Sequence, residues 1–256
     1  TMNVPYISIT DFMTPAQVRN VLNSITLLPG TKLGVGVMMS YKTLNRIKTR
    51  FSEVFPPTDK VKDIFIDDPR VFNTLHYADY RGVDVYENLS AACLYSGDNL
   101  HAIQLDMTWP DPLEIRKFHT LFPDIKIILQ IGRKAFDQVD NDYHKLIAKL
   151  AEYNEALDYV LLDKSMGKGK GLDADFMLPF LYMLNKERPD LGLVVAGGLG
   201  PNSLYLIAKI IELYPNVSID AQGQLRNSGS FFDPIDWGRA NLYVQRANDM
   251  FAQVRS

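Results

Sequence analysis

The sequence predicts an α/β chain folded as a single-domain (β/α)8 barrel over residues 1–256. Three observations lead there: short apolar runs alternate with amphipathic segments along the chain, the runs are continuously apolar, and eight such pairs of similar length follow one another. Continuous apolar runs mark strands buried on both faces, as in a parallel sheet covered by helices, and eight parallel strands close a barrel. An open doubly wound sheet is the competing arrangement. It would more often carry Gly-x-Gly-x-x-Gly after the first strand, where this chain has Ser8-Ile9-Thr10-Asp11.

The first strand is expected from Val4 to Ile9 and its helix from Thr14 to about Ile25, because Thr14-Pro15-Ala16-Gln17 supplies a cap, a proline at the first helical position and a Gln three residues on. The second strand is Leu33 to Met39, with a helix from Tyr41 to Val54 that Pro56-Pro57 ends. Asp59 to Val71 is less regular, with an apolar patch at Ile64-Phe65-Ile66. Phe72 to Tyr77 and Leu100 to Leu105 are the third and fourth strands, followed by helices Val85 to Tyr95 and Pro112 to Leu121. Lys126 to Ile131 and Tyr159 to Leu162 are the fifth and sixth, with helices Tyr143 to Tyr153 and Ala174 to Lys186. Leu193 to Ala196 precedes a helix from Ser203 to Leu213, and Val217 to Ile219 precedes the last, Trp237 to Val254.

Composition narrows the function classes. A net charge of −3 offers no basic surface for nucleic acid, and the interrupted apolar runs are too short for a bilayer of about 30 Å. With no basic region followed by an apolar stretch at the N-terminus, a cytoplasmic location is expected. Cys93 is the single cysteine, so neither an internal disulfide nor a thiolate metal site can form. No two histidines stand at helical i, i+4 spacing, and no metal is expected.

In a barrel of this kind the active site lies at the C-terminal ends of the strands. Those positions hold Ser8 and Asp11, Ser40 and Lys42, His76 and Asp79, Gln104 and Asp106, Gln130 and Arg133, Asp163 and Lys164, Gly197 and Gly198, and Asp220 and Gln222. A polar residue at a strand end can equally face solvent or cap the next helix. Asp163 stands apart, because it ends the apolar run Tyr159-Val160-Leu161-Leu162 and a buried strand has no reason to finish on an unpaired charge. The loop Gly167-Lys168-Gly169-Lys170-Gly171 and the turn Gly197-Gly198 add positive charge and glycine backbone, which suit a phosphate ester. The two lysines fit either a solvated loop or a lid over an anionic ligand. Of the four histidines only His76 is a site candidate; His119 and His144 fall in expected surface helices and His101 at the opposite end of a strand.

Leu161-Leu162-Asp163, the glycine-lysine loop, Ala196-Gly197-Gly198-Leu199 with Pro201-Asn202, and Ser218-Ile219-Asp220-Ala221-Gln222-Gly223 resemble, in order and spacing, the C-terminal half of the phosphoribosylanthranilate isomerase family of phosphate-binding TIM barrels. Ile103-Gln104-Leu105-Asp106 is similar to that family's fourth-strand motif, with Asp106 where the family has histidine. The likeness runs from near Leu100 to Gly223. It implies a cofactor-free Amadori-type isomerisation of a phosphorylated aminosugar, a step of tryptophan biosynthesis, with Asp163 as general acid. It also implies phosphate and substrate contacts from Gly167, Gly169, Gly197, Gly198, Asp220, Gln222, Gly223 and Gln104, with Lys42 nearest to the family's substrate-binding arginine. Asp163 must then be partly dry to hold a proton, and Lys164 must point away from it. The family's first-strand cysteine base is absent; Ser8 stands nearest, and would need His76 or Asp11 as partner. Cys93 falls mid-helix and reads as a core residue. A different phosphosugar enzyme on the same barrel (an epimerase, aldolase or lyase) and a catalytically silent phosphosugar-binding protein are the rival readings.

Overall fold

The computed structural model describes residues 3–166 and 170–256. Eight parallel strands close in sequence order: β1 (Tyr6–Thr10), β2 (Lys32–Ser40), β3 (Val71–Ala78), β4 (Ala102–Asp106), β5 (Lys126–Ile131), β6 (Tyr159–Asp163), β7 (Gly192–Ala196) and β8 (Ser218–Ala221), with β8 pairing back onto β1. Helices cross back between them: α1 (Pro15–Ser24), α2 (Tyr41–Leu44), α3 (Val61–Ile64), α4 (Val85–Ser96), α5 (Pro112–Leu121), α6 (Arg133–Gln138), α7 (Tyr143–Ala151), α8 (Ala174–Glu187), α9 (Ala208–Leu213) and α10 (Trp237–Arg255). The expected capping box forms at α1, where Thr14 Oγ1 accepts from the Gln17 N–H and the Gln17 side chain accepts from the Thr14 N–H. Among the described residues no helix is long and apolar enough to cross a membrane.

The long helix expected from Tyr41 to Val54 is not there. α2 stops at Leu44 because Arg46 turns into the left-handed region at φ 60°, and the rest of the segment is loop. Its apolar residues are used elsewhere: Val54 is buried and Phe51 stacks on Phe232 of the loop after β8, at 5.0 Å between centroids. The irregular stretch after it holds the short α3, with Val61, Ile64 and Phe65 in the core. A further short helix, α6, stands directly after β5, where none is expected. The expected helix from Ser203 begins as a 3-10 turn, Leu204–Ile207, before α9.

Two apolar layers hold the fold. Outward strand residues such as Ile7, Val35, Leu105 and Val160 pack beneath the helices, while Tyr6, Phe72, Ala102, Ile128, Tyr159, Leu161, Val194 and Ala196 fill the barrel itself. Three rings meet there, Tyr6 with Phe72 at 5.1 Å, Tyr6 with Tyr159 at 5.5 Å and Phe72 with Tyr159 at 5.7 Å, and close the N-terminal half of the barrel. Rings of this size fit because their neighbours are small: a Cβ on Gly192 would meet the Tyr159 ring at 2.3 Å. β2 meets β1 by the same means, and a Cβ on Gly34 would meet Ser8 Cβ at 2.5 Å and its Cα at 2.8 Å.

Gly34→Ala should therefore push two strands apart and lower stability by about 1–3 kcal/mol, as overpacking does, whereas Gly132→Ala, at the N-cap of α6, should cost less, at most about 1 kcal/mol. A Cβ at Gly132 meets nothing within 4 Å. Denaturant midpoints for the two variants check this, and equal midpoints would refute the tight β1–β2 contact.

Candidate active site

Strand alternation sends Ser8, Thr10, His76, Gln104, Asp106, Gln130, Asp163 and Asp220 to the inner face above the three rings. Four of these strands are tied by one line of hydrogen bonds. His76 Nε2 donates to Asp106 Oδ2 at 3.1 Å, Gln104 Nε2 lies 3.4 Å from His76 Nδ1 and donates to Gln130 Oε1 at 2.9 Å, and Gln130 Nε2 donates to Asp163 Oδ2 at 3.2 Å. The Tyr80 hydroxyl donates to the other Asp106 oxygen. Asp163 keeps Oδ1 free of that line, and Gly197 leaves room beside it, since a Cβ there would come to 3.4 Å.

The two carboxyl groups at the ends of the line are driven in opposite directions. Burial pushes Asp163 above the ordinary carboxylate range, and the charge of Asp106 adds to it, against weaker opposing effects of His76 and the Gln130 amide. Burial alone would also raise Asp106, but hydrogen bonds from His76 and Tyr80 and the charge of His76 hold it below the ordinary range. His76 would be lowered by burial; the hydrogen bond and charge of Asp106, with the charges of Asp220 and Asp11, carry it above its usual value instead. Of the two, Asp106 is thus the more readily ionised and Asp163 the more readily protonated.

Ser8 lacks the partner that its expected role requires. It stands opposite Asp220, its register partner on β8, and among the described residues no hydrogen bond joins it to His76 or Asp11. Thr10 Oγ1 donates to both Asp220 oxygens at 2.8 and 3.0 Å, and burial brings the Asp220 carboxyl up to about 6 in spite of these bonds and the charge of His76. Asp11 is occupied too. Its carboxylate pairs with Arg226 at 2.7 Å with both side chains fully buried, and Gln222 Nε2 donates to it at 3.1 Å. These contacts fix Asp11 at φ 97°, a backbone conformation that an L-residue adopts only when its surroundings enforce it. Removing one partner of such a buried pair would strand the other charge at a cost of about 3–5 kcal/mol.

The remaining expected residues divide between mouth and rim. Gly198, at φ 61°, lies against Gly171, where a Cβ would meet the Gly171 Cα at 2.9 Å, so the neck of the β6 loop touches the β7 turn. That neck is pinned by Met166 N–H donating to Gly171 O at 2.8 Å and Asp173 N–H to Lys164 O at 2.9 Å. Gly167, Lys168 and Gly169 lie outside the described residues. Among the described residues no acceptor takes the N–H of Gly198 or Gly223, whereas Gly200 N–H donates to Ser203 Oγ at 2.9 Å. Lys42 is exposed on the rim in α2. Lys164 turns outward over the Phe176 ring, with Nζ 5.0 Å from its centroid, as alternation requires. Cys93 is buried in α4 with its thiol pushed up to about 12, too high for a nucleophile. His101 stands at the far end, accepting from Asn73 N–H. Among the described residues no group of three or more His, Cys, Asp or Glu is arranged to hold a metal.

Sequence reasoning placed Asp106 and Gln130 at strand ends but gave them no role, and passed over Tyr80 and Arg226. Inward strand position was the available signal for the first two; Arg226 lies in a loop after β8, and nothing local marks it as the partner of Asp11.

No family model and no curated protein matches this chain. Solved structures do. Tryptophan synthase subunit alpha from Legionella pneumophila superposes with a TM-score of 0.53 at 12% identity, covering 98% of this chain and 93% of that one. The catalytic domain of a hyperthermophilic chitinase from Pyrococcus furiosus gives 0.59 at 9% identity, with 98% and 97% covered. Ribulose-1,5-bisphosphate carboxylase/oxygenase from Pyrococcus horikoshii gives 0.56 at 12%, with 98% and 60% covered. This chain is a TIM barrel. At these identities the likeness is one of fold alone, and the TIM barrel carries many chemistries.

The elevated Asp220 carboxyl makes stability depend on pH with a definite sign. Because its folded value of about 6 exceeds that of the unfolded chain, the stability it contributes is complete below the unfolded pKa of about 4 and is lost as pH rises through 6. Asp220→Asn should thus raise Tm by about 2–4 °C at pH 7.5 and not at pH 4.5. Thermal melts at both values decide it, and an equal gain at each would remove Asp220 as the cause.

Proposed function

We propose that this barrel catalyses a cofactor-free isomerisation of a phosphorylated sugar derivative by proton transfer, of the kind performed by phosphoribosylanthranilate isomerase, with Asp163 as general acid and Asp106 as general base. The observation that carries the reading is the opposed titration of two carboxyl groups lining one cavity, the first raised and the second lowered. Over one range of pH Asp163 holds a proton while Asp106 does not, which is how two carboxyl groups take different roles in one site.

The chemistry needs both. Asp163 gives its proton to the ring oxygen as the bond from that oxygen to carbon one breaks, the glycosidic nitrogen supplying its lone pair to form an iminium. Asp106 then removes the proton on carbon two, and the electrons of that C–H bond neutralise the iminium to give the enolamine, which becomes the aminoketose. His76 and Tyr80 hold the two Asp106 oxygens, and Gln130 holds Asp163, so both groups are oriented before substrate arrives. The base is therefore placed on β4 rather than on β1, where Ser8 has no hydrogen bond to His76 or Asp11 among the described residues. The substrate phosphate is assigned to the Gly197–Gly198 turn and the Gln222–Gly223 segment, supported by the N–H groups of Gly198 and Gly223, which no acceptor takes among the described residues, and by the usual phosphate position of this fold.

The moved base favours a second reading, an epimerase for phosphosugars that uses the same pair, and one assay separates the two. The protein is incubated in D2O with phosphoribosylanthranilate and, separately, with a panel of aldose and ketose phosphates. Loss of anthranilate-type fluorescence reports the first reaction, and deuterium at carbon two or three of a sugar phosphate reports the second. No fluorescence change and no deuterium uptake would sink both.

Asp163→Asn and Asp106→Asn should each lower kcat by about 10²-fold or more, with KM within a few-fold, as expected for groups that act mainly in the transition state. The activity of the wild type should fall as pH rises through the elevated Asp163 pKa, because the acid form is then lost. A kcat in either variant close to that of the wild type would take that residue out of the mechanism.

A further inference from the structure

Arg226 is the largest fully buried side chain among the described residues, and its fork holds one loop against one carboxylate. Nη2 donates to Asp11 Oδ2 at 2.7 Å, Nε to Asp233 O at 2.7 Å and Nη1 to Gln222 O at 3.1 Å. Gln222 Nε2 donates to the other Asp11 oxygen at 3.1 Å. The Phe231 ring lies over the guanidinium at 5.2 Å and also reaches Gly223, where an added Cβ would meet it at 3.6 Å.

Stability alone does not call for this arrangement, because an apolar pair of the same volume is often as stable as a buried ion pair. The peptide that Arg226 grips points to its use. Gln222 O and Gly223 N–H belong to one peptide unit, and none of the peptide bonds among the described residues is cis. In a trans unit the C=O and N–H point in opposite directions, so a carbonyl turned toward Arg226 sends the Gly223 N–H away from it. Among the described residues no acceptor takes that N–H. A carbonyl bonded to a cation also makes the N–H of its own unit a stronger donor, as along any chain of hydrogen bonds. Asp11 balances the guanidinium only in part: burial pushes its carboxyl above the ordinary range in spite of Arg226, so it holds its negative charge less firmly than an exposed carboxylate does.

We propose that Arg226 is a positioning residue of the anion site, which aims the Gly223 N–H at the substrate phosphate and passes positive charge to it through the Gln222–Gly223 peptide, with Asp11 limiting the effect. This role rests on the reading that the phosphate lies at the Gly197–Gly198 turn and the Gln222–Gly223 segment. A cradle of backbone N–H groups then has a full cation behind it, in a dry interior where its field is weakly screened.

Calorimetric titration with inorganic phosphate tests it, because charge and scaffolding predict different signs. Asp11→Asn keeps the guanidinium and removes its counter-charge; the asparagine can present its oxygen to Arg226 and its amide to a turned-over Gln222. Phosphate should bind this variant about fivefold or more tightly than the wild type, and should raise its Tm by more. Asp11→Asn/Arg226→Met, without either charge, should bind about tenfold or more weakly. Arg226→Lys keeps the charge without the fork and should recover most of that loss. Gly223→Asp, whose added Cβ is in ordinary contact with Phe231, should abolish binding by repulsion.

Weaker binding in Asp11→Asn, or affinities equal to the wild type in every Arg226 variant, overturns the role of Arg226; abolition by Gly223→Asp then leaves the phosphate site standing. If Asp11→Asn fails to fold, Arg226→Lys decides: recovery supports the charge role, and a loss equal to that of the double variant overturns it. No phosphate binding by the wild type, or binding untouched by Gly223→Asp, overturns the placement of the phosphate and this role together.

Discussion

Closure of eight parallel strands is the constraint on which the rest depends. Once the sheet closes, every second residue of each strand must point into a space that water does not fill, and the three rings of Tyr6, Phe72 and Tyr159 occupy its lower half. Small hydroxyls such as Ser218 and Thr74 fit lower in the barrel, but the acids, amides and imidazole stand at inward positions nearer the mouth. His76, Gln104, Asp106, Gln130, Asp163 and Asp220 stand there because an ordinary barrel core has nowhere else to put them.

The same dry floor decides the electrostatics. Burial works on Asp106, Asp163 and Asp220 alike, raising each; what separates them is the partner each one has. Asp106 accepts from both an imidazole and a phenol and is held below the ordinary range, Asp163 accepts one amide and stays above it, and Asp220, held by the Thr10 hydroxyl, lies near 6. In Asp106 the partners outweigh burial; in Asp163, in Asp220 and even in Asp11 beside Arg226, burial prevails.

Loop packing then selects which side of the mouth is open. Because α2 stops at Leu44, the following segment is free to cross toward the loop after β8, where Phe51 meets Phe232. The buried Arg226–Asp11 pair anchors that second loop from beneath, with Arg226 also donating to Gln222 O and Asp233 O. The open cavity lies opposite, along β4 to β6, next to the two opposed carboxyl groups.

Much of this was legible in the sequence. Continuous apolar runs gave the parallel strands, Thr14-Pro15 gave the first helix start, and the charge at the end of Tyr159–Asp163 marked that aspartate as a candidate at the barrel mouth, because each signal is carried by neighbours in the chain. The inward and outward assignments of Asp163 and Lys164 also followed from a two-residue period alone. The bond from Thr10 to Asp220, the union of Asp11 with Arg226 and the line from His76 to Asp163 did not, since they join residues 210, 215 or 26–33 positions apart, across strands whose register only closure sets. Sequence determined which groups stand at the strand ends. Tertiary structure decided which of them hold a proton more or less readily, because that depends on burial and on the partner brought in from another strand.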